Sequence, residues 1–234
     1  MATEGALAIT WKTEEPVWVP QWPLPSEKLT AGQELFREQL NLGHIRHSNS
    51  PWNTPIFLIK KKSGKWRLLH DLRENNKQMV IMGPVQRALP HPSALPRNWP
   101  LIILDIKDFF PIPLHPQDAV RFAFTVPSIN HVEPDERFEW VVLPQGMANN
   151  PTMCQLYVDS ALKGVRDQFP RLKCYQYMDG ILLAAPTEEM LEHAYSVVIQ
   201  KLKEKQLVVA PGTVQKGKVV SYLGTKIFDS QVSP

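Results

Sequence analysis

The chain has few cysteines, no long apolar run and little net charge. Its two cysteines among 234 residues, Cys154 and Cys174, cannot build a disulfide framework, and no zinc-like spacing surrounds them. The longest apolar run, Trp99 to Leu104, is far too short to span a membrane. These absences exclude a small disulfide-stapled scaffold. They predict a reducing compartment, a cytoplasmic location and no membrane partner.

The composition is that of a folded globular protein with an unusual share of proline. Hydrophobic residues make up 43% and charged residues 21%, which excludes full disorder. The 22 prolines are about 9% of the chain, against a usual share of about 5%. Because proline interrupts long helices, an all-helical bundle is excluded. The length predicts one large domain or two joined subdomains.

Hydrophobic periodicity and turn residues predict an α+β fold in which helices cover strands. An extended arm, residues 1–25, is rich in Trp and Pro, and residues 83–100 form an irregular crossing segment. The predicted helices run from Ser26 to a stop at Gly43, from Pro116 to Phe122 and from Asn150 to Gln168. A last helix begins after the cap Thr187, with an apolar stripe formed by Leu191, Ala194, Val198 and Leu202. The predicted strands are Thr54–Ile59, Trp66–Asp71, Leu101–Leu104 (ending at Asp105), Phe122–Val126, Phe138–Leu143, Cys174–Met178, Ile181–Ala184, Val214–Val220 and Tyr222–Ile227.

Positive charge is concentrated in one short stretch. The net charge is +3, yet residues 60–77 hold seven basic and two acidic residues. A local excess of this kind indicates a site for phosphates and a polyanionic partner. A solvated lysine-rich turn is the alternative, although Trp66 and Arg67 favour a rigid strand that presents a bidentate donor.

Two aspartates follow strongly apolar strand segments. Asp105 ends LIILD, and Asp179 lies within YMDGILL. If the two strands are neighbours, both carboxylates meet at one spot, which suits a pair of Mg²⁺ ions in nucleotidyl transfer. The alternative is a strand end and an ordinary Asp179-Gly180 hairpin turn. Asp108 lies three residues after Asp105 and so takes the opposite face of a continuous strand, which favours Asp105 for the site.

Five segments occur in an order that resembles a known family. They are SPWNTPIFLIKKKSGKWRLLHDLR (50–73), LDIKDFF (104–110), FAFTVP (122–127), LPQGM (143–147) and YMDG (177–180). Together they resemble the reverse transcriptase domain of retroviral Pol proteins, of the betaretrovirus-like endogenous group K type. The resemblance implies a right-hand polymerase fold with fingers (26–80 and 112–149) and palm (81–111 and 150–234). We expect no thumb, connection or RNase H domain in this chain, although a full-length parent Pol would carry RNase H.

The resemblance also implies a role for individual residues. Catalysis and metal binding fall to Asp105 and Asp179, with the carbonyl of Ile106 as a further metal ligand. Nucleotide binding falls to Lys61, Arg67, Phe109, Phe110, Gln145, Gly146 and Met178, where one of the two Phe residues is the steric gate under the sugar. The primer grip falls to Tyr222, Leu223 and Gly224. The implied cofactors are two Mg²⁺ ions, with Mn²⁺ as a substitute.

The implied partners are an RNA or DNA template with its primer, deoxynucleoside triphosphates and other Pol fragments in a dimer, and the ancestral Pol would reside in the viral particle. One departure bears on activity. The family reads YxDD, whereas this chain has Gly180 in place of the second Asp. We therefore expect an RNA-directed DNA polymerase domain with weak or no activity. The alternatives are a nucleic-acid-binding Pol fragment without chemistry and a pseudogene product without a role.

Overall fold

The computed structural model describes residues 6–83, 95–108, 111–130, 132–177, 180–210 and 214–218. These residues fall into two compact units, Met1–Gly83 with Phe110–Met153 (unit 1) and Pro84–Phe109 with Cys154–Pro234 (unit 2). Several predicted features lie outside the described residues: most of the crossing segment, the final strand, and Phe109, Phe110, Met178, Asp179, Tyr222, Leu223 and Gly224.

The described residues mix helices and strands, as predicted. The strands are β1 (Ile45–His47), β2 (Ile56–Lys60), β3 (Trp66–His70), β4 (Pro100–Asp108), β5 (Ala123–Val126), β6 (Glu136–Trp140), β7 (Lys173–Tyr177), β8 (Gly180–Ala184), β9 (Val208–Val209) and β10 (Gln215–Lys218). The helices are α1 (Ser26–Asn41), α2 (Arg73–Gln78), α3 (Pro116–Ala119), α4 (Asn150–Gln168) and α5 (Glu188–Glu204), and Val120–Phe122 form a 3-10 turn. No helix in this described part is both long and apolar enough to cross a membrane.

Unit 1 contains two small antiparallel sheets and helix α1. One sheet has the order β1-β6-β5, and the other is the β2-β3 hairpin. Phe36 of α1 packs with buried residues of both sheets, among them Ile56 and Phe124. Helix α1 lies so close to β2 that a Cβ on Gly32 would stand 2.8 Å from Leu58 Cδ1. The hairpin is therefore fixed on the helix by close packing.

The N-terminal arm is bound to the rest of unit 1 through buried polar groups. The carboxylate of Asp118 accepts hydrogen bonds from the Ile9 amide and from Trp11 Nε1, each at 2.8 Å. The guanidinium of Arg121 lies over the rings of Trp11 and Trp52, 4.4 and 4.9 Å from their centroids. Because Asp118 and Arg121 are both buried, these contacts form in a region from which water is largely excluded.

Unit 2 is built on one sheet with the order β10-β4-β8-β7, to which β9 adds along β4. The predicted last helix is confirmed as α5, with Thr187 Oγ1 accepting from the Met190 amide at its start. The helix buries its predicted stripe, formed by Leu191, Ala194, Val198 and Leu202. Cys174 is buried on β7.

The prediction that the first strand of unit 2 ends at Asp105 is wrong. Strand β4 continues to Asp108, because β9 pairs with it at Ile106 and Asp108 with a register shift between them. Strand β10 pairs with residues 100–103 of the same strand. Of these short partners, β9 supplies the pairing that keeps β4 extended past the apolar run.

Replacing Asp118 by Ala should destabilise unit 1 by about 3 kcal/mol, because one buried and one partly buried donor lose a charged acceptor. Urea unfolding followed by tryptophan fluorescence measures this change. The matched control is Asp135→Ala, since Asp135 is exposed and accepts one bond from Ser128. The control should change stability by less than about 1 kcal/mol. Equal effects of the two substitutions would show that Asp118 does not anchor the arm.

Candidate functional site

The two strands expected to carry the catalytic aspartates are neighbours in one sheet. Strand β4 pairs antiparallel with β8, from Leu101 opposite Ala184 to Asp105 opposite Gly180. Gly180 also pairs with Tyr177 of β7, so only positions 178 and 179 lie between β7 and β8. The structure thus places Asp105 beside the hairpin that contains Asp179, while Asp179 and Met178 themselves lie outside the described residues.

Asp105 occupies a polar position at the end of an apolar segment. Its side chain is exposed, whereas Leu104 and Ile106 on either side are buried. Strand β4 is paired on both edges here: β8 lies along one edge, and on the other the Ala210 amide donates to the Asp105 carbonyl at 2.8 Å. This backbone support holds the carboxylate in a defined position on one face of the sheet.

Gly180 leaves the place opposite Asp105 without a side chain. Residues directly opposite in an antiparallel pair share a face, with Cα atoms about 4.5–5.5 Å apart. An aspartate at position 180 would therefore stand beside Asp105 on the same face. Among the described residues no group of three or more His, Cys, Asp or Glu side chains is placed to hold a metal ion.

The turn of the β2-β3 hairpin holds Lys61, Lys62 and Lys65 of the basic stretch predicted to bind phosphates. The Lys61 amide donates to the Lys65 carbonyl at 2.7 Å, and the Gly64 amide donates to the Lys61 carbonyl at 2.9 Å. Gly64 has φ +85°, which residues with a Cβ rarely adopt. The turn exposes the side chains of Lys61, Lys62 and Lys65.

Three of the predicted nucleotide-binding residues lie around one cavity of unit 1. Arg67 Nη2 donates to Gln145 Oε1 at 2.5 Å, and both side chains are exposed. Arg67, Gln145 and Lys61 line a cavity of about 380 Å³ along β3, which we call the β3 cavity; Trp66 and Trp140 are also among its walls. Gly146, next to Gln145, has φ +90° and supports a tight turn.

Comparison with known proteins identifies the family. A family model described as reverse transcriptase (RNA-dependent DNA polymerase) matches residues 59–227. The chain belongs to the reverse transcriptase family. It is 58% identical over its full length to an intracisternal A-particle Pol-related polyprotein of mouse intracisternal A-particle MIA14, covering 27% of that protein. It is 53% identical over 96% of its length to the Gag-Pro-Pol polyproteins of mouse mammary tumor virus (strain BR6) and Mason-Pfizer monkey virus, covering 13% of each.

These relatives confirm a betaretrovirus-like reverse transcriptase domain, and the family implies the polymerase fold. The chain spans only about a quarter or less of the length of these curated relatives.

Asn76 is a residue of this reverse transcriptase domain that the sequence did not single out. Its Nδ2 donates to the Gly146 carbonyl at 2.9 Å, and its Oδ1 accepts from the Ala148 amide at 2.9 Å. The side chain thus fixes the loop that presents Gln145. The nearest sequence signal is the polar segment after LLHD, but α2, on which Asn76 lies, was not predicted.

A buried histidine ends strand β3 of the hairpin. His70 is buried, bonded to Thr54 Oγ1 at 2.7 Å and to Trp140 Nε1 at 3.2 Å. Burial lowers the pKa of His70 from 6.5 to about 4, against the opposing effects of the Thr54 backbone and Asp71. At the surface, the guanidinium of Arg73 lowers the pKa of Asp71 by hydrogen bonding to it.

Asn76→Ala should raise the amide exchange rate of Ala148 about fivefold to tenfold, because the bond that protects this amide is lost. Hydrogen exchange read residue by residue by NMR measures it. The control is Lys77→Ala on the same helix, where an exposed side chain pairs with Glu74. Similar exchange at Ala148 in both variants would contradict the positioning role.

The stability of unit 1 should fall as the pH drops from 6.5 to 4. In this range the unfolded state protonates His70 while the folded state keeps it neutral, so the loss approaches about 3 kcal/mol. Urea unfolding at several pH values measures the slope. The variant His70→Gln should lose this part of the slope, whereas His47→Gln, at an exposed position, should keep it. Parallel pH profiles for wild type and His70→Gln would refute the assignment.

Proposed function

We propose that this chain is the fingers-and-palm part of an RNA-directed DNA polymerase, and that its own nucleotidyl transfer is weak or absent because position 180 is glycine. The observation that carries the proposal is the register of β4 and β8, in which Asp105 stands opposite Gly180. In the YxDD motif this position is a carboxylate. Its loss removes a negative charge from the place where the family gathers charge for catalysis.

The division into subdomains belongs to the same proposal. We assign residues 26–80 and 112–149 to the fingers and residues 81–111 and 150–234 to the palm, with 1–25 as an arm. The two compact units alternate along the chain in a similar way, which supports this assignment. The cytoplasm, or the viral particle for the ancestral Pol, is the proposed location, and dimerisation with other Pol fragments is a proposal about the parent protein.

The donor atoms fit a divalent metal in part. The carboxylate of Asp105 is a hard oxygen ligand of the kind that Mg²⁺ prefers, whereas Gly180 offers no side-chain oxygen. We propose Asp105, Asp179 and the carbonyl of Ile106 as the residues that would hold two Mg²⁺ or Mn²⁺ ions. Bound metal would supply charge that stabilises the transferred phosphoryl group. The pairing of β4 with β8 and the bond from the Ala210 amide to the Asp105 carbonyl would hold this carboxylate in place.

We propose that unit 1 binds the incoming deoxynucleoside triphosphate through Lys61 and Arg67. The bond from Arg67 to Gln145, together with the Asn76 contacts to the neighbouring loop, would preorganise this site. Further roles rest on the family motifs alone: Phe109 or Phe110 as the steric gate, Met178 beside the nucleotide, Gly146 at the template, and Tyr222, Leu223 and Gly224 at the primer.

A second cavity of unit 1 suits an RNA or DNA template. It measures about 600 Å³ and is lined by Trp22, Arg73 and Lys77, among others. Trp22 is 39% exposed and packs against Phe57 with ring centroids 6.5 Å apart. The exposed indole favours stacking of a base. Arg73 and Lys77 are paired with Asp71 and Glu74, which also line the cavity, so contact with a phosphate would require exchange of these ion pairs. A primer-bound template is therefore the proposed partner of this surface.

A second candidate function is nucleic-acid binding without chemistry. The observation that favours it is the contrast between the intact basic hairpin and the missing carboxylate at position 180. In that case primer–template binding would weaken steeply with salt, roughly one log-log slope unit per neutralised phosphate. A pseudogene product without a role would show neither binding nor extension.

Gly180→Asp should raise primer extension on an RNA template by about 100-fold or more, because it restores a carboxylate opposite Asp105. The rate is measured in single-turnover assays with Mg²⁺ or Mn²⁺. The matched control Gly180→Asn has nearly the same size without the charge and should gain nothing. Adding Asp105→Asn to Gly180→Asp should remove the gain.

Extension by the native chain at the rate of Gly180→Asp would contradict the proposed defect. If no variant extends primers but salt-dependent primer–template binding persists, the binding-only function is favoured.

A further inference from the structure

We propose that the β3 cavity is a binding site for a planar aromatic anion, whose ring lies against Trp66 and Trp140 and whose acidic group meets Lys61 and Arg67. The cavity belongs to unit 1 alone and has a volume of about 380 Å³. This is within the usual range of small-molecule pockets, about 300–1,000 Å³. A ligand of one or two fused or linked rings fits that space.

The apolar part of the cavity favours a flat ring. Trp66 and Trp140 line it together with Leu35 and Leu68, and Lys60 Nζ lies 5.7 Å from the centroid of the Trp66 ring. The indole of Trp140 is held by the 3.2 Å bond from its Nε1 to His70 Nδ1. Aromatic walls that are already fixed lose little entropy when a ligand stacks on them.

The edge of β3 adds polar groups of the backbone. On the outer edge of β2, the amide and the carbonyl of Ile56 both point away from the hairpin. The Ile56 amide donates to Gln21 Oε1 at 2.8 Å, and Gln21 Nε2 donates to the Ile56 carbonyl at 3.0 Å. Because this orientation alternates along an antiparallel pair, Leu58 and its partner Leu68 also turn their peptide groups outward. For Leu68 the outward edge is the one that borders the cavity. A donor or acceptor on the ligand could bond there as Gln21 does to Ile56.

The charged part of the cavity favours an anion. Lys61 and Arg67 both line it, and within the part of the chain that the structure describes neither forms an ion pair with a carboxylate. The hydrogen-bond partner of Arg67 is the neutral Gln145, which leaves the guanidinium charge uncompensated. A carboxylate or sulfonate on the ring would supply the missing charge and accept from the guanidinium.

The inferred site shares Lys61 and Arg67 with the proposed triphosphate site. A bound aromatic anion would therefore exclude a triphosphate, and this consequence rests on the proposed function. Binding of the anion itself does not depend on catalysis, on a metal or on Asp105. The two claims are thus measured separately.

The test follows the indole N–H signals of the seven tryptophans by ¹H–¹⁵N NMR while biphenyl-4-carboxylate is added to the chain. The signals of Trp66 and Trp140, assigned with Trp66→Phe and Trp140→Phe, should shift and saturate. Equal shifts of the exposed Trp18 and Trp22 would indicate surface adsorption and overturn the proposal. The uncharged probe biphenyl-4-carboxamide has the same shape and should bind about tenfold more weakly. Equal affinity for both probes would refute the anion site.

Matched variants identify the basic side chains that bind the carboxylate of the probe. Lys61→Ala and Arg67→Ala should each weaken biphenyl-4-carboxylate binding by about fivefold to tenfold. Lys62→Ala removes the same charge from the same turn, but Lys62 does not line the cavity, so its affinity should stay within about twofold. All three side chains are exposed, and dispersed signals of the other indoles show that each variant is folded. Equal loss in the Lys62 variant would overturn the assignment.

Inorganic tripolyphosphate added to the same samples separates the two claims. If it displaces the probe, the cavity and the proposed triphosphate site overlap as inferred. If the probe binds but tripolyphosphate neither binds nor displaces it, the proposed nucleotide site fails while the cavity stands. If tripolyphosphate binds and the probe does not, the cavity inference alone fails.

Discussion

The register between β4 and β8 is the constraint on which the candidate site depends. Five consecutive pairs align the strands, and the apolar pairs at the far end, such as Leu101 with Ala184, pack into a buried cluster. A slip of one residue would turn Asp105 to the other face and carry the apolar set out of that cluster. Core packing therefore fixes where the carboxylate stands, although our proposal assigns none of the packed residues to the chemistry.

The same logic holds in unit 1, where backbone geometry and neutral side chains position the charged ones. Gly64 and Gly146 allow two tight turns, one under the lysines and one beside Gln145. The Asn76 side chain bonds the second turn at the Gly146 carbonyl and at the Ala148 amide, and Gln145 accepts a hydrogen bond from Arg67. The cations themselves are exposed and contribute little to folding, so their placement depends on groups that the charge pattern does not reveal.

The parts of the fold that sequence could predict are those with a local signal. Helix α4 has the predicted bounds, and the cap and buried stripe of α5 follow from Thr187 and a period of 3.6 residues. Strands β1 and β9 have three and two residues, too few for a periodic pattern, and exist because a longer strand lies beside them. In the site, the acidic and basic residue types were visible in sequence, but the residue opposite Asp105 and the role of Asn76 depend on tertiary pairing.

Gly180 shows how a fold and its chemistry can be separated at one position. Two carboxylates opposite each other on one face repel, so an aspartate at this position would cost stability unless cations compensate for it. Glycine removes that repulsion, at a smaller cost in backbone entropy, and β8 still pairs on both sides. The sheet therefore forms without the second carboxylate. Only the proposed binding of metal and triphosphate would require it. A chain with an intact sheet and basic hairpin and with the metal-binding defect that we propose is the arrangement that this balance allows.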